Sequence, residues 1–273
     1  MLRRKLMFAL LPCILMASMA SMASMASMAP GAEPTYPDEK YDTKHTRNVL
    51  DFWKAESSKP TPVVIYFHGG GFIQGDKKQI PSRQIIDKYL DAGISFASCN
   101  YPFIENQSAA EYTKVMKHCG RAIQFLRSKS KDWNIDSRRF GAIGASAGAL
   151  ISEWLGYGPE IGSRRSRDKV GRYSSKVQVV GSLMQPTGTQ EMIIGKMKRG
   201  GPPLYIYAHS LPSDPVHHPK YAKMMKAKAD KVRIRCVLYG IGENGIPSHP
   251  EGKSPVESQF EFFCKYLKVK VKS

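Results

Sequence analysis

A serine held between glycines is the first feature of this 273-residue chain that suggests chemistry. Residues 144–148 read Gly-Ala-Ser-Ala-Gly, with Ser146 at the centre, an apolar run over 140–143 before it and an apolar helical pattern from Ala147 onward. Glycines two residues either side of a serine let neighbouring backbone pass close to a tight turn. At the start of a helix, free N–H groups and the helix dipole favour negative charge. The spacing therefore predicts an exposed nucleophile on a strand-to-helix turn.

A glycine loop is the second feature. His68-Gly69-Gly70-Gly71 directly follows an apolar run at residues 63–67. Three glycines leave backbone N–H groups unobstructed, and preorganised donors of this kind stabilise an oxygen that becomes negative during acyl transfer. A flexible turn is the alternative. Two such motifs in this order, each after a predicted strand, argue against that alternative.

The elements that must position these motifs alternate along the chain. Short β-branched and apolar runs predict strands, and apolar residues at three- and four-residue spacing predict helices. Strands are predicted at 48–52, 63–67, 94–99, 140–143, 177–184, 204–208 and 232–239, and helices at 82–91, 112–126 and 255–267. Alternation of this kind predicts an α/β fold, with a mostly parallel central sheet and helices on both faces. Residues 157–175 and 185–202 are predicted to be insertions near the site.

The N-terminus has the pattern of an export signal. Three cations at positions 3–5 precede an apolar run over 6–16, followed by small residues suited to cleavage. We predict a signal peptide at 1–29, an irregular lead-in at 30–45, and one domain at 46–273. The apolar run is shorter than the roughly 20 residues that a spanning helix needs. We therefore expect a secreted or periplasmic protein without a stable membrane anchor, with an uncleaved anchor as the alternative.

The charge balance is strongly basic. The net charge is +18, the sequence pI is near 9.7, and local clusters lie at 164–172 and 265–272. Such a field favours anionic partners, whether acidic polysaccharide, membrane surface or nucleic acid. The alternative is a solvated basic surface that selects no partner. No recognised nucleic-acid motif accompanies the charge, so no nucleic-acid partner is predicted.

Four cysteines remain after the predicted signal: Cys99, Cys119, Cys236 and Cys264. In an exported chain they are compatible with one or two disulfides, or with small buried apolar side chains. Their spacing is wrong for a zinc site, which needs close Cys or His pairs. No metal is predicted.

The two glycine motifs together resemble the esterase and lipase branch of the α/β-hydrolase fold. The resemblance covers about residues 48–268 and is near the hormone-sensitive-lipase-like and carbohydrate-esterase relatives. It implies an oxyanion hole formed by the N–H groups of Gly70, Gly71 and Ala147, a bracing role for His68, and no cofactor. Residues 100–102, Asn-Tyr-Pro, resemble the Tyr-Arg segment of these families but lack the longer sequence typical of hormone-sensitive-lipase relatives. That departure favours the carbohydrate-esterase side.

A serine nucleophile needs a histidine to take its proton and an acid to fix the histidine's tautomer. In this fold the chain order is serine, acid, histidine. Asp214, just after the predicted strand at 204–208, resembles the acid of the family, with a turn-capping aspartate as the alternative. Glu191 is the fallback acid.

The predicted base is His249. The fold brings its base in on the loop after the final strand, and the loop at 240–254 contains this one histidine. His217 and His218 follow Asp214 so closely that they share its loop, and we predict no catalytic role for either.

The sequence therefore predicts a secreted serine esterase that works through an acyl-enzyme. Its expected substrates are small-molecule or polysaccharide esters, in particular acetyl or feruloyl esters on polysaccharides. A general short-chain carboxylesterase or lipase is the close alternative. An alternative of another class is a non-catalytic protein that uses the same fold for binding, since fold does not fix function.

Overall fold

An eight-stranded sheet forms the centre of the computed structural model, which describes residues 32–270, so the predicted signal peptide lies outside the described residues. The strand order is β1-β2-β4-β3-β5-β6-β7-β8. The pairs β1/β2 and β2/β4 are antiparallel, whereas the strands from β4 through β3 to β8 are parallel. The strands are β1 (Tyr36–Lys40), β2 (Val49–Trp53), β3 (Thr61–Phe67), β4 (Ser95–Cys99), β5 (Ile135–Ala145), β6 (Val179–Leu183), β7 (Leu204–Tyr207) and β8 (Cys236–Tyr239).

Helices cover both faces of this sheet. They are α1 (Arg83–Asp91), α2 (Ala109–Ser128), α3 (Ala147–Tyr157), α4 (Thr189–Met192), α5 (Pro219–Lys231) and α6 (Pro255–Tyr266). One buried cluster contains residues of α2, α3 and α5, such as Val115, Leu150 and Met225. A second contains residues of α1 and α6, such as Ile86 and Phe263. The predicted fold class is therefore confirmed.

Local sequence explains where the two longest predicted helices begin. Ser108 caps α2, because its side chain accepts a hydrogen bond from the N–H of Glu111. Ser254 and Glu257 form a reciprocal capping box at the start of α6. Each cap satisfies donors that the first helical turn leaves without partners.

The two edges of the sheet differ from their sequence predictions. The lead-in at 30–45 contains β1, an edge strand that pairs with β2. Its sequence, Tyr-Pro-Asp-Glu-Lys, is mostly exposed and lacks the apolar pattern of an inner strand. At the other edge, the predicted strand 232–239 begins only at Cys236. Val232 ends α5, and Arg233 adopts a φ of 60° in the turn that follows.

The two predicted insertions lie at opposite edges of the sheet. Residues 185–202 follow the carboxyl end of β6, as expected for a segment near the site. Residues 157–175 instead connect the end of α3 to the start of β6, at the amino edge. There Arg127, near the end of α2, donates to the carbonyls of Ser174 and Lys176. The prediction that 157–175 lies near the site was wrong, because a segment that enters a parallel strand lies at the edge opposite the strand's carboxyl end.

The four cysteines of the described part are free thiols, three of them buried. Within residues 32–270, no helix is long and apolar enough to cross a membrane.

Candidate active site

Ser146 lies on a strained turn between β5 and α3. Its φ of 54° and ψ of −114° are unusual for a residue with a side chain. Its N–H donates to the carbonyl of Leu183 on the neighbouring strand at 2.9 Å. Gly148 lets the backbone close up, since a Cβ there would lie 1.9 Å from the carbonyl oxygen of Phe67. The turn therefore projects Ser146 from the carboxyl edge of the sheet.

The glycine loop lies beside this serine. A Cβ built on Gly69 would stand 3.5 Å from the Cβ of Ser146. Gly70 requires its glycine, because its φ is 112° and a Cβ would meet the carbonyl oxygen of Gln74 at 2.2 Å. Among the described residues, the N–H groups of Gly70, Gly71 and Ala147 donate to no backbone carbonyl. Ala147 is the first residue of α3, where a helix leaves its N–H groups without partners.

His68 holds the loop from behind. Its Nδ1 lies 2.7 Å from the carbonyl oxygen of Gly69, and its ring stacks on Tyr101 with centroids 4.3 Å apart. The hydroxyl of Tyr101 donates to the carbonyl of His68 at 2.7 Å. Burial lowers the pKa of His68, which favours the neutral ring. These contacts agree with a bracing role.

Arg47 ties the same loop to the start of β2. Its guanidinium donates to the carbonyls of Tyr101 and Gly75 at 2.9 and 2.8 Å. A Cβ on Gly75 would collide with the ring of His68 at 2.3 Å. The loop is therefore fixed on both sides before any substrate arrives, as electrostatic stabilisation of a transition state requires.

Ser146, His217 and Asp214 form a continuous chain of hydrogen bonds. Nε2 of His217 lies 2.9 Å from Oγ of Ser146, and Nδ1 lies 3.0 Å from Oδ2 of Asp214. The other carboxylate oxygen of Asp214 accepts the N–H groups of Val216 and His217, each at 2.9 Å. Asp214 therefore caps its own turn and orients the histidine three residues later. This is the geometry of an activated serine nucleophile.

His249 does not contact Ser146, which corrects the sequence-based assignment of the base. Its Nε2 lies 2.8 Å from the hydroxyl of Tyr205, and its ring packs on Tyr239 with centroids 4.4 Å apart. The loop after β8 therefore packs His249 into an aromatic layer, formed by Tyr205 and Tyr239, on the face of the sheet that α6 covers. His217, for which the sequence predicts no catalytic role, shares the loop of Asp214. That closeness is what permits the contact, since the aspartate bends the chain back on itself.

The signal for His217 was present in the sequence as Asp-Pro-Val-His. An aspartate that starts a turn hydrogen-bonds to the N–H groups two and three residues on, which brings the side chain at the third residue within reach. The adjacent His218 caps α5 instead, and its Nδ1 accepts from the N–H of Lys220 at 3.0 Å. The fallback acid, Glu191, is exposed on α4.

Electrostatics suit an ionised acid in the site. Partial burial acts to raise the pKa of Asp214, but the hydrogen bonds from the backbone and ring of His217 and from Val216 outweigh it and lower the pKa. His209 lies near this pair, and burial together with the charge of His217 lowers its pKa. In the described range no group of three or more His, Cys, Asp or Glu is arranged to hold a metal ion.

A buried carboxyl group lies behind the site. Glu153 is fully buried two turns after Ser146 on α3, and desolvation raises its pKa to about 8. Its Oε2 accepts from the amide of Gln185 at 3.1 Å, and Gln185 also bonds to Thr189. In the same loop, the N–H of Thr187 donates to the carbonyl of Val216 at 2.7 Å. This network connects α3 to the turn that carries His217.

Comparison with known proteins identifies the family and supports the fold. The BD-FAE family model matches residues 50–200, more than half of the chain. The chain belongs to the BD-FAE family. The match includes the serine turn and the glycine loop of this esterase family of the α/β-hydrolase fold, but ends before the turn with Asp214 and His217. No match was found among curated proteins.

Solved structures share the fold. One is a truncated carbohydrate esterase from gut microbiota, with a TM-score of 0.69, 17% identity, and coverage of 87% of this chain and 99% of that one. A second is an acetyl ester-xyloside bifunctional hydrolase from Caldicellulosiruptor lactoaceticus, with a TM-score of 0.62, 18% identity, and coverage of 89% and 95%. A third is the butyrate-bound esterase Est2 of Thermogutta terrifontis, with a TM-score of 0.68, 15% identity, and coverage of 89% and 97%.

Proposed function

We propose that this BD-FAE family member is a serine esterase whose catalytic residues are Ser146, His217 and Asp214. The observation that carries the proposal is the unbroken set of contacts from Ser146 Oγ through both nitrogens of His217 to the carboxylate of Asp214. Packing of a protein core does not require this alignment of polar atoms, whereas acyl transfer does.

The reaction proceeds in two steps. His217 takes the proton of Ser146 as Oγ attacks the ester carbonyl, and the N–H groups of Gly70, Gly71 and Ala147 hold the oxyanion. Collapse of this intermediate breaks the bond to the alcohol, which leaves with the proton returned by His217. Water then attacks the acyl-enzyme in the same way and releases the acid. Asp214 stabilises the charged ring in both steps.

The proposed substrates are acetyl or feruloyl esters on polysaccharides. Family membership supports this class, as do structural neighbours described as a carbohydrate esterase and an acetyl ester-xyloside hydrolase. A general short-chain carboxylesterase is the second candidate, favoured by the neighbour that holds butyrate. The signal pattern at 1–29 supports export of the protein to the periplasm or medium.

A hydrolysis panel tests the substrate class. Wild-type protein is compared on nitrophenyl esters of increasing chain length, acetylated xylan, acetylated pectin and feruloyl sugars. A kcat/KM that is highest on the polysaccharide esters supports the proposal, whereas one highest on simple butyrate or longer esters supports the carboxylesterase.

A fluorophosphonate probe tests catalysis itself. We expect labelling of the wild type and none of Ser146→Ala, with the same circular dichroism for both. An unlabelled wild type that is folded would instead point to a non-catalytic binding protein.

A further inference from the structure

A basic insert occupies the amino edge of the sheet, opposite the carboxyl edge at which Ser146 lies. We define it as residues 163–172, which read Ser-Arg-Arg-Ser-Arg-Asp-Lys-Val-Gly-Arg. It carries five cationic side chains and one carboxylate within ten residues. The five cations, all exposed, are Arg164, Arg165, Arg167, Lys169 and Arg172. Residues 226–235 also contain five cations, but Lys226 and Lys228 are only half exposed there, so the insert has the larger number of exposed cations.

Backbone hydrogen bonds fix the shape of the basic insert. The N–H of Ser163 donates to the carbonyl of Gly171 at 2.9 Å, which closes the loop at its base. The N–H of Ser166 donates to Ser163 at 2.8 Å, and the guanidinium of Arg172 donates to the carbonyl of Ser166 at 2.8 Å. A loop that is already ordered loses little conformational entropy when it binds a ligand.

The carboxylate of the insert is already engaged. Asp168 forms an ion pair with Arg121 of α2, and Arg121 also pairs with Asp42 at 3.5 Å. Within residues 32–270, none of the five insert cations lies within 4.0 Å of a carboxylate. Their positive charge is therefore uncompensated locally.

A cleft leads from the basic insert along the outer face of α2. Its volume is about 980 Å³, and it is open to solvent. Its cationic lining includes Lys44, Lys117 and Arg121, whereas Asp168 and Gly171 belong to the insert. The full lining is Asp42, Lys44, Ala109, Ala110, Thr113, Lys114, Lys117, His118, Arg121, Gln124, Ile161, Asp168 and Gly171.

The cleft extends from the insert along α2 toward the carboxyl edge of the sheet, where Ser146 lies. The lining runs from Ala109 to Gln124 of α2, a helical length of about 22 Å at 1.5 Å per residue. Helix α2 begins after the carboxyl end of β4, the edge at which Ser146 lies, and runs toward the amino edge. Near its start, Tyr112 packs edge-on against Phe72 of the glycine loop, with centroids 5.2 Å apart.

We propose that the basic insert and this cleft bind an acidic polysaccharide. Bound along α2, the polysaccharide would extend toward Ser146 at the carboxyl edge of the sheet. The proposal rests on the proposed esterase function, because it assigns a binding site to the polymer that carries the ester. Carboxylates of uronate units pair with the insert cations and with Lys44 and Lys117. The long cleft suits a linear polymer better than a compact ligand.

The composition of this surface argues against other polyanions. Cations bind anionic headgroups, but association with a membrane is stronger when apolar side chains also enter the lipid. Near the insert, the large exposed apolar residue is Tyr173. Single-stranded nucleic acid is bound through aromatic side chains on which bases stack, and no Phe, Tyr or Trp appears among the described residues that line the cleft.

The test compares two triple variants with the same loss of charge. In the first, Arg164, Arg165 and Arg167 are each changed to Glu. In the second, the matched control, three exposed lysines outside the insert, Lys59, Lys231 and Lys265, are each changed to Glu. Binding of polygalacturonate oligomers is measured by calorimetry in the Ser146→Ala background, at low and physiological salt.

We expect the insert variant to bind at least about tenfold more weakly than the control, with a weaker salt dependence, because direct ion pairs contribute more than net charge. Both variants should hydrolyse nitrophenyl acetate at the wild-type rate in the Ser146 background. Equal weakening in both variants, or full affinity in the insert variant, overturns the site. Tighter insert-dependent binding to anionic vesicles or to oligonucleotides than to polygalacturonate overturns the assigned ligand. Loss of nitrophenyl acetate hydrolysis in the Ser146→Ala parent tests the proposed function separately.

Discussion

Asp214 and His217 lie three residues apart in one turn, and the two oxygens of Asp214 divide its tasks. Oδ1 accepts the backbone N–H groups of Val216 and His217, whereas Oδ2 contacts Nδ1 of the His217 ring. One aspartate thus shapes the turn and orients the base. The acid and the base of the proposed mechanism therefore depend on a single short segment, which Thr187 ties to the loop after β6.

The contact between His217 and Ser146 predicts which histidine is essential. His217→Ala should lower kcat/KM by about 10⁴-fold or more, as loss of a base that acts as a unit with its serine does. His249→Ala should change it by less than about tenfold, because His249 contacts Tyr205 instead. Steady-state hydrolysis of nitrophenyl acetate measures both, with His218→Ala as the matched control. If His249→Ala instead abolished activity, the catalytic base would be on the loop after β8.

Substitutions of Asp214 can distinguish the roles of its two carboxylate oxygens. In Asp214→Asn, the amide oxygen still accepts the backbone N–H groups, but the amide NH₂ favours the wrong tautomer of His217. We expect a fall in kcat of about 10⁴-fold with little change in melting temperature. Asp214→Ala should lose both the activity and the cap, with a stability loss of about 1 kcal/mol. If Asp214→Asn kept more than a tenth of wild-type activity, Asp214 would be only a turn residue.

Glu153 predicts a pH dependence of stability. Its pKa is raised to about 8 in the folded protein from 4.5, so the stability associated with its neutral form is complete below pH 4.5 and declines as pH rises toward 8. The neutral mimic Glu153→Gln should therefore match the wild type at pH 4.5 and exceed it at pH 8. One pKa unit is about 1.4 kcal/mol, so the gain should be a few kcal/mol.

A second glutamate provides the opposite control for this measurement. Hydrogen bonds from Ser174, Ser175 and Gly162 outweigh partial burial and lower the pKa of Glu160 to about 2. Its contribution is present above pH 4.5 and is lost as pH falls toward 2. Glu160→Gln should thus be destabilised at pH 7 and approach the wild type in acid. Denaturant titrations at several pH values measure both variants, and parallel curves for the two would contradict the assignments.

The backbone conformation of the glycine loop predicts that a side chain at Gly70 lowers the rate of catalysis. Gly70→Ala forces a side chain onto a φ of 112° and against Gln74. We expect a fall in kcat of about 10²-fold or more, the effect of losing one oxyanion donor. Gly195→Ala, where an added Cβ meets nothing within 4 Å, is the matched control. Equal kcat for Gly70→Ala and wild type, with both folded, would remove the N–H of Gly70 from the proposed oxyanion hole.

Local sequence patterns are sufficient to predict the fold class, the nucleophile turn and the glycine loop. These features are local: apolar runs set the strands, and glycines at fixed spacing around Ser146 and after His68 permit backbone that other residues cannot adopt. Asp214 was also visible in the sequence as a residue that starts a turn after a strand. Which histidine reaches Ser146 depends instead on tertiary packing. His217 and His249 both follow strands that end at the same edge, and separation along the chain does not show which ring faces the serine. The fold brings the Asp214 turn toward Ser146 and directs His249 into the aromatic layer on Tyr205 and Tyr239, because long-range packing, rather than local spacing, sets the direction of each loop.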